Sequence, residues 1–516
     1  MQGSLDTVDI LILLLYGGVL IGMGLYYQRK CRTAEEFMVA GRSIPAWAAG
    51  LAVMSTYTSS ISYIATPGKA YSSNWHPFIF ALCIVPVAWF VCRYAVPYYR
   101  RMGLISVYEF LEDRLGSWAR IYGALSFVLY MVGRIAVILY LASVLLNTFI
   151  PCNIVLVIVV LGLITIAYTF LGGMEAVIWT DVMQSMVMIV GIIFCAVTLT
   201  RAVFAQPEYL IQAAFDADKF SLGSAKLTLA SQQHLGDRTI WVMIIFGITE
   251  NLRSLIADQN CVQKYSSVAD ERQAKRSIWI GMLIYIPLTA IFLYIGTALF
   301  AYYSQGGHPL GAGITKGSEV FPFFIAQQLP VGLKGLMVAA ILAAAMSTVD
   351  SNLNCSATVL LLDFYKRYFN PSMGERGSVV FLRATTIIWG VLGIFFAILM
   401  IRAESILDVW WQISGIFGGG VLGVFILGLL RLRPRLWQGL VSIGVSVAVI
   451  TWGTFVRGPF LRALHIQIPE AWKWIECTLD EVVVGAVGTA ALVVVAGIFG
   501  LTNRRRNARA VRTDSH

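Results

Sequence analysis

The sequence predicts an all-α polytopic membrane protein, and three observations carry that prediction. Of its 516 residues, 58% are hydrophobic and only 13% are charged, too little charge to cover a water-soluble surface of that size. The apolar residues fall in runs long enough to cross a hydrocarbon core about 30 Å thick. The basic residues that give the formal net charge of +10 collect in short clusters just after apolar runs. Examples are Arg29, Lys30 and Arg32; Arg100 and Arg101; Lys264, Arg272, Lys275 and Arg276; Lys366 and Arg367; Arg431, Arg433 and Arg435; and Arg504, Arg505, Arg506 and Arg509. The connections between, such as 71–76 and 302–329, carry few. That alternation is the positive-inside rule, so the charge reports topology and not a nucleic-acid partner.

About thirteen spans follow, each of roughly twenty residues or more. Their limits are about 8–27, 45–66, 77–98, 118–148, 153–171, 176–201, 239–262, 277–302, 332–365, 380–402, 406–430, 436–456 and 482–502. The first run, Val8 to Tyr27, is long enough to span and has no small-residue cleavage site after it, so it is a span and not a removable signal. With basic connections inside, the N-terminus lies outside and the C-terminus in the cytoplasm of a multi-pass cell (inner) membrane protein. The stretches 202–238, 303–331 and 457–481 then lie outside, and 502–516 forms a basic cytoplasmic tail. Residues 1–516 make one transmembrane domain. The eight cysteines are scattered through apolar surroundings, with no CxxC pair and no metal-ligand spacing, so neither a disulfide framework nor a zinc site is expected.

Polar residues at membrane depth locate the function. In the second span, Ser55-Thr56-Tyr57-Thr58-Ser59-Ser60-Ile61-Ser62 interrupts an apolar helix, and Pro67-Gly68 follow. One or two such hydroxyls can bond back to their own helix. Six in eight predict a broken helix, whose bare backbone survives in a membrane only where it lines a cavity or binds something. In the ninth span, Ser347, Asp350, Ser351 and Asn354 stand at i, i+3, i+4 and i+7 and share one face, beside the small residues Ala343, Ala344 and Ala345 that allow a neighbour to pack closely. An acid at mid-membrane costs a few kcal/mol on insertion scales and marks an ion path. Hard oxygen donors without His or Cys suit an alkali cation over a transition metal.

Two further charges are internal. Asp181 opens the sixth span, and Arg134 lies inside the apolar run from Ile121 to Leu146. Arg134 must pair with Asp181, with another acid or with a substrate anion. In the seventh span Glu250 and Arg253 are spaced to pair with each other. Polar interiors in both the second and seventh spans suggest a long-period inverted repeat.

These residues fit secondary active transport of a small solute. There is no GxxxxGK[ST] loop to bind a nucleotide, and of five histidines (His76, His234, His308, His465 and His516) none lies mid-span to serve an intramembrane enzyme. An ion channel, the alternative of another class, would need a ring of identical sites or a re-entrant filter, and neither is found. No cofactor is expected; the partners are a small-molecule substrate, the coupling ion and the lipid bilayer.

The run from Tyr168 to Gln184, with Gly172-Gly173-Met174-Glu175-Ala176-Val177-Ile178-Trp179-Thr180-Asp181 at its centre, resembles the signature of the sodium:solute symporter family. Ala343–Asn354 and Gln263-Lys264-Tyr265 extend the resemblance. Ser59-Ser60-Ile61, Pro67-Gly68-Lys69-Ala70-Tyr71 and Gly133-Arg134-Ile135-Ala136 are similar to its bacterial sodium/sialic acid members. The resemblance implies a LeuT-like core of two inverted five-helix repeats, 45–201 and 239–430, working by alternating access with sodium as the coupling ion. It implies a sodium site formed by the carbonyls of Ser55, Thr58 and Ala344 and the hydroxyls of Ser347 and Thr348. It implies a second sodium site at Asp181, Ser347, Asp350 and Ser351. The implied substrate wall is Tyr57, Ser59, Ser62, Pro77, Ala81 and Arg134. Tyr57 and Ala81 depart from the threonine and glutamine of the sialic acid members, and Asp350 from a serine. The expected substrate is a small carboxylate such as sialic acid, with a neutral sugar or other metabolite as the alternative.

Overall fold

A chain this apolar, placed in lipid, can satisfy its backbone only within helices. The computed structural model describes residues 5–149, 153–204, 209–229, 238–304, 309–311, 314, 316–402, 418, 420–456, 473 and 475–513. Among these residues no β-sheet forms; one isolated bridge joins Ser224 to Thr239. Among the described residues nine helices are long and apolar enough to cross a membrane, and two further spans are bent or broken. A short apolar helix, Gly420–Leu429, covers the end of the eleventh expected span; the earlier part of that span, 406–417, lies outside the described residues.

The fifth and sixth spans form one helical stretch, Ile154–Phe204, that turns at Gly173 (φ 58°, ψ −151°). Only glycine fits there. The left-handed φ disfavours any side chain, and an added Cβ would lie 2.9 Å from the Cα of Phe37. The second span consists of two helices, Ala46–Tyr57 and Ser60–Ser72. Thr58 (φ −106°, ψ 95°) and Ser59 (φ −100°, ψ 171°) are extended between them, and Pro67 stands inside the second helix. The seventh span is also broken, into Ile240–Ile256 and Gln259–Ser266, bent by 53°. It runs past the expected limit at 262.

The ninth span, Leu333–Phe369, is the axis of the molecule. Every residue from Met337 to Val359 is buried, because alanine, serine and threonine let neighbouring helices approach closely. Its start is held by the first span: Asp9 accepts backbone N–H bonds from Gly332 and Gly335, both 2.8 Å, at the end of the helix where a carboxylate is favoured. Outer helices instead expose large apolar side chains, Leu14 and Val380 at 66% each, the surface a bilayer would cover. The seven cysteines among the described residues are buried and unpaired; Cys152 lies outside them.

Candidate functional site: two helix breaks around a polar axis

Both halves of the second span pack on the ninth, so the hydroxyl-rich break meets the small-residue helix. Ser55, Thr58, Ser347 and Thr348 are wholly buried. The amide of Thr58 bonds to Met54 and Ser55 (3.2 and 3.1 Å), and that of Ser62 turns to Ser59 (2.9 Å). The carbonyls of residues 56–58 thereby lose the following turn that a continuous helix would supply. Ser347 and Thr348 both donate to the carbonyl of Ala344, at 3.2 and 3.0 Å, which leaves their oxygen lone pairs available as acceptors.

The break in the seventh span is finished differently. Tyrosine hydroxyls cover its last carbonyls in turn: Tyr265 donates to Leu255 (3.0 Å), Tyr99 to Ile256 (2.8 Å) and Tyr108 to Ala257 (3.2 Å). Asp258 accepts the amide of Asn260 (3.0 Å) and starts the next helix. That helix, Gln259–Ser266, is buried at every position. It is bonded to the ninth span through Asn260 to Asn352 (2.9 Å) and Gln263 to Asn354 (2.9 Å) and Thr358 (3.0 Å). Asn354, expected on the face of Asp350, thus serves the seventh span.

The internal charges sort into two groups. Arg134 is paired with Asp258, not with Asp181: its Nη1 lies 3.7 Å from Asp258 Oδ2, and its Nη2 lies 3.5 Å from the Thr56 carbonyl. Arg253 approaches the same Asp258 oxygen at 3.8 Å and makes its close bonds to Glu250, at 2.5 and 2.9 Å. The expected Glu250–Arg253 pair is therefore present. Both contacts of Arg134 are long, and its donors are far from saturated. Tyr57 lies against Tyr285, ring centroids 5.4 Å apart. Ser59, Ser62 and Pro77 are partly exposed, and Ala81 is buried. The turn carrying Pro77 and Ala81 meets the seventh span where Asn251 donates to the Phe80 carbonyl (3.0 Å).

The second group surrounds Asp181. Ser55 donates to its Oδ1 at 3.3 Å, and the ammonium of Lys264 lies 2.9 Å from its Oδ2. Asp350 accepts from Tyr168 (2.8 Å), Thr180 (3.5 Å) and Ser351 (3.1 Å). Lys264 corrects the sequence reading. Counted there with a basic connection, it is fully buried. Its misplacement followed from ending the seventh span before it. The Gln263-Lys264-Tyr265 motif was the available signal, but nothing local marks the lysine as internal. Asp258, Tyr99 and Tyr108 carry no signal in the sequence, and Tyr168 and Tyr265 stand there only as members of family motifs.

Broken spans that meet a small-residue helix at mid-depth, with buried hydroxyls, carbonyls and acids between them, define a secondary transporter of ions and small solutes. The chain belongs to the sodium:solute symporter family, whose profile matches residues 37–435. It is 32% identical to the sodium/sialic acid symporter NanT of Aliivibrio fischeri, over 87% of this chain and 88% of that protein. It is 31% identical to the sodium/sialic acid symporter SiaT of Proteus mirabilis, over 86% and 88%. Among solved structures it is similar to a substrate-bound, outward-open sodium-coupled sialic acid symporter, with a TM-score of 0.84 and 28% identity over 96% of this chain and 98% of that one. A nucleobase-cation-symport-1 transporter shares the fold, with a TM-score of 0.54 at 16% identity over 89% and 92%. The fold is that of two inverted five-helix repeats, and the protein is a multi-pass membrane symporter with sodium as its coupling ion.

Proposed function

We propose that this symporter imports a small sugar acid of the sialic acid class, anchoring its carboxylate on Arg134. The observation that carries this reading is the state of Arg134 itself: a partly buried guanidinium beside the second-span break, with, among the described residues, two long polar contacts. A guanidinium offers two parallel N–H donors to a carboxylate. Tyr57, Ser59, Ser62, Pro77 and Ala81 form the remaining wall, with the repeats at 45–201 and 239–430. Sodium is held by the carbonyls of Ser55, Thr58 and Ala344 and the hydroxyls of Ser347 and Thr348, which pins the broken second span to the ninth and favours substrate binding from outside. The membrane potential adds about 2.3 kcal/mol per charge per 100 mV to the sodium gradient. The N-terminus lies outside and the C-terminus in the cytoplasm.

The test is uptake into proteoliposomes, with and without a sodium gradient, of sialic acid, a simple monocarboxylate and a neutral hexose. Sodium-dependent uptake of sialic acid, competed by other carboxylates less well and by hexose least, is expected. Equal uptake of the hexose would overturn the carboxylate anchor.

A further inference from the structure

The family resemblance implies a second sodium at Asp181, Ser347, Asp350 and Ser351, and the side chains present there do not fit one. Both carboxylates, the groups that would carry the ion's charge, already have protein partners. Asp181 uses Oδ2 for the Lys264 ammonium (2.9 Å) and Oδ1 for the Ser55 hydroxyl (3.3 Å). Asp350 accepts the hydroxyls of Tyr168 (2.8 Å) and Ser351 (3.1 Å). Lys264 is held in turn by the second span. It donates to the Ala52 carbonyl (3.0 Å) and the Thr56 hydroxyl (2.7 Å) and forms an ion pair with Asp181 (2.9 Å). Both charged residues are wholly buried, and the lysine belongs to a short helix buried at every position. A sodium ion on Asp181 would have to displace a wholly buried ammonium, or share a carboxylate with it at close range. Like charges so placed repel strongly where water cannot screen them.

We propose that Lys264 is a tethered cation which fills the second cation position itself, so that each substrate is carried with one sodium ion. The remaining sodium is the one between Ser55, Thr58, Ala344, Ser347 and Thr348. That site is built from neutral oxygens and contains neither Lys264 nor Asp181. Lys264 also holds the first half of the second span, through Ala52 and Thr56, at the depth where that sodium binds. A position filled by a mobile ion in a two-sodium carrier is here a fixed part of the chain.

The test is the flux ratio of radioactive sodium to substrate in proteoliposomes, measured with whichever solute is taken up, so that it does not depend on the carboxylate anchor. Wild-type protein is expected to move about one sodium per substrate, with sodium activation of Hill slope about one, the bound for a single site. Lys264→Gln, which leaves Asp181 without its cation, is expected to raise the ratio to about two and steepen the sodium activation. Lys264→Arg, which keeps the charge, is expected to stay at about one. A wild-type ratio of two would overturn the proposal, as would a folded Lys264→Gln protein that still moves one. Should Lys264→Gln not insert, the wild-type ratio and equilibrium binding of labelled sodium to wild type and Lys264→Arg decide the matter.

Discussion

The second and seventh spans are broken in the same way and completed in opposite ways. Both interrupt a helix at membrane depth, and each break exposes carbonyls that lipid cannot satisfy. In the seventh span, Tyr265, Tyr99 and Tyr108 cover the carbonyls of Leu255, Ile256 and Ala257, and Asp258 caps the helix that follows. In the second span, among the described residues, the carbonyls of 56–58 receive only the 3.5 Å contact from Arg134 to Thr56. A break finished by the protein's own hydroxyls needs no ligand to complete it. One finished by long contacts and flanked by Ser55, Thr58, Ser347 and Thr348 is where we propose that ligands bind. What distinguishes them is who supplies the missing partners.

The largest effect is expected where the second span is held from outside itself. Asp181→Asn leaves the buried Lys264 ammonium without its carboxylate, and breaking a buried pair in this way costs about 3–5 kcal/mol. A marked fall in the thermal midpoint of detergent-solubilised protein checks this; an unchanged midpoint would mean that the pair does not brace the break. Next comes Arg134→Lys. An ammonium cannot reproduce the two-bond contact with a carboxylate, so the substrate half-saturation should rise by roughly tenfold or more, equivalent to about 1.4 kcal/mol, while sodium binding persists. Wild-type affinity in a folded Arg134→Lys protein would remove Arg134 from the substrate site.

Ser347→Ala tests the ligand character of the second break directly. Losing one hydroxyl from a buried polar site costs about 1–2 kcal/mol, so the sodium concentration for half-maximal uptake should rise about five- to thirtyfold. Unchanged sodium dependence would place the ion elsewhere. The smallest effect is expected at the seventh break. Tyr265→Phe removes one of three carbonyl caps and should lower stability by about 1 kcal/mol, with substrate and sodium half-saturation within about twofold of wild type. A larger shift in either constant than in stability would show that the seventh break also binds ligand, and the distinction between the two breaks would fail.

The sequence by itself determined most of the described spans and the break in the second span, because hydropathy and runs of hydroxyl residues are local properties. It also placed the acid of the ninth span on a polar face, since i, i+3, i+4 and i+7 positions are fixed by helix geometry, and it paired Glu250 with Arg253 for the same reason. It left open whether Arg134 meets Asp181, another acid or a substrate, and it counted Lys264 with a basic connection. Those choices belong to the tertiary structure. Lys264 finds Asp181 on the sixth span, Asp258 reaches Arg134 on the fourth, and Tyr99 and Tyr108 reach the seventh break from the third span and the connection after it. The strength of a buried charge pair depends on separations of 3–4 Å, and which side chains come that close is set by helix packing, not by their neighbours in the chain.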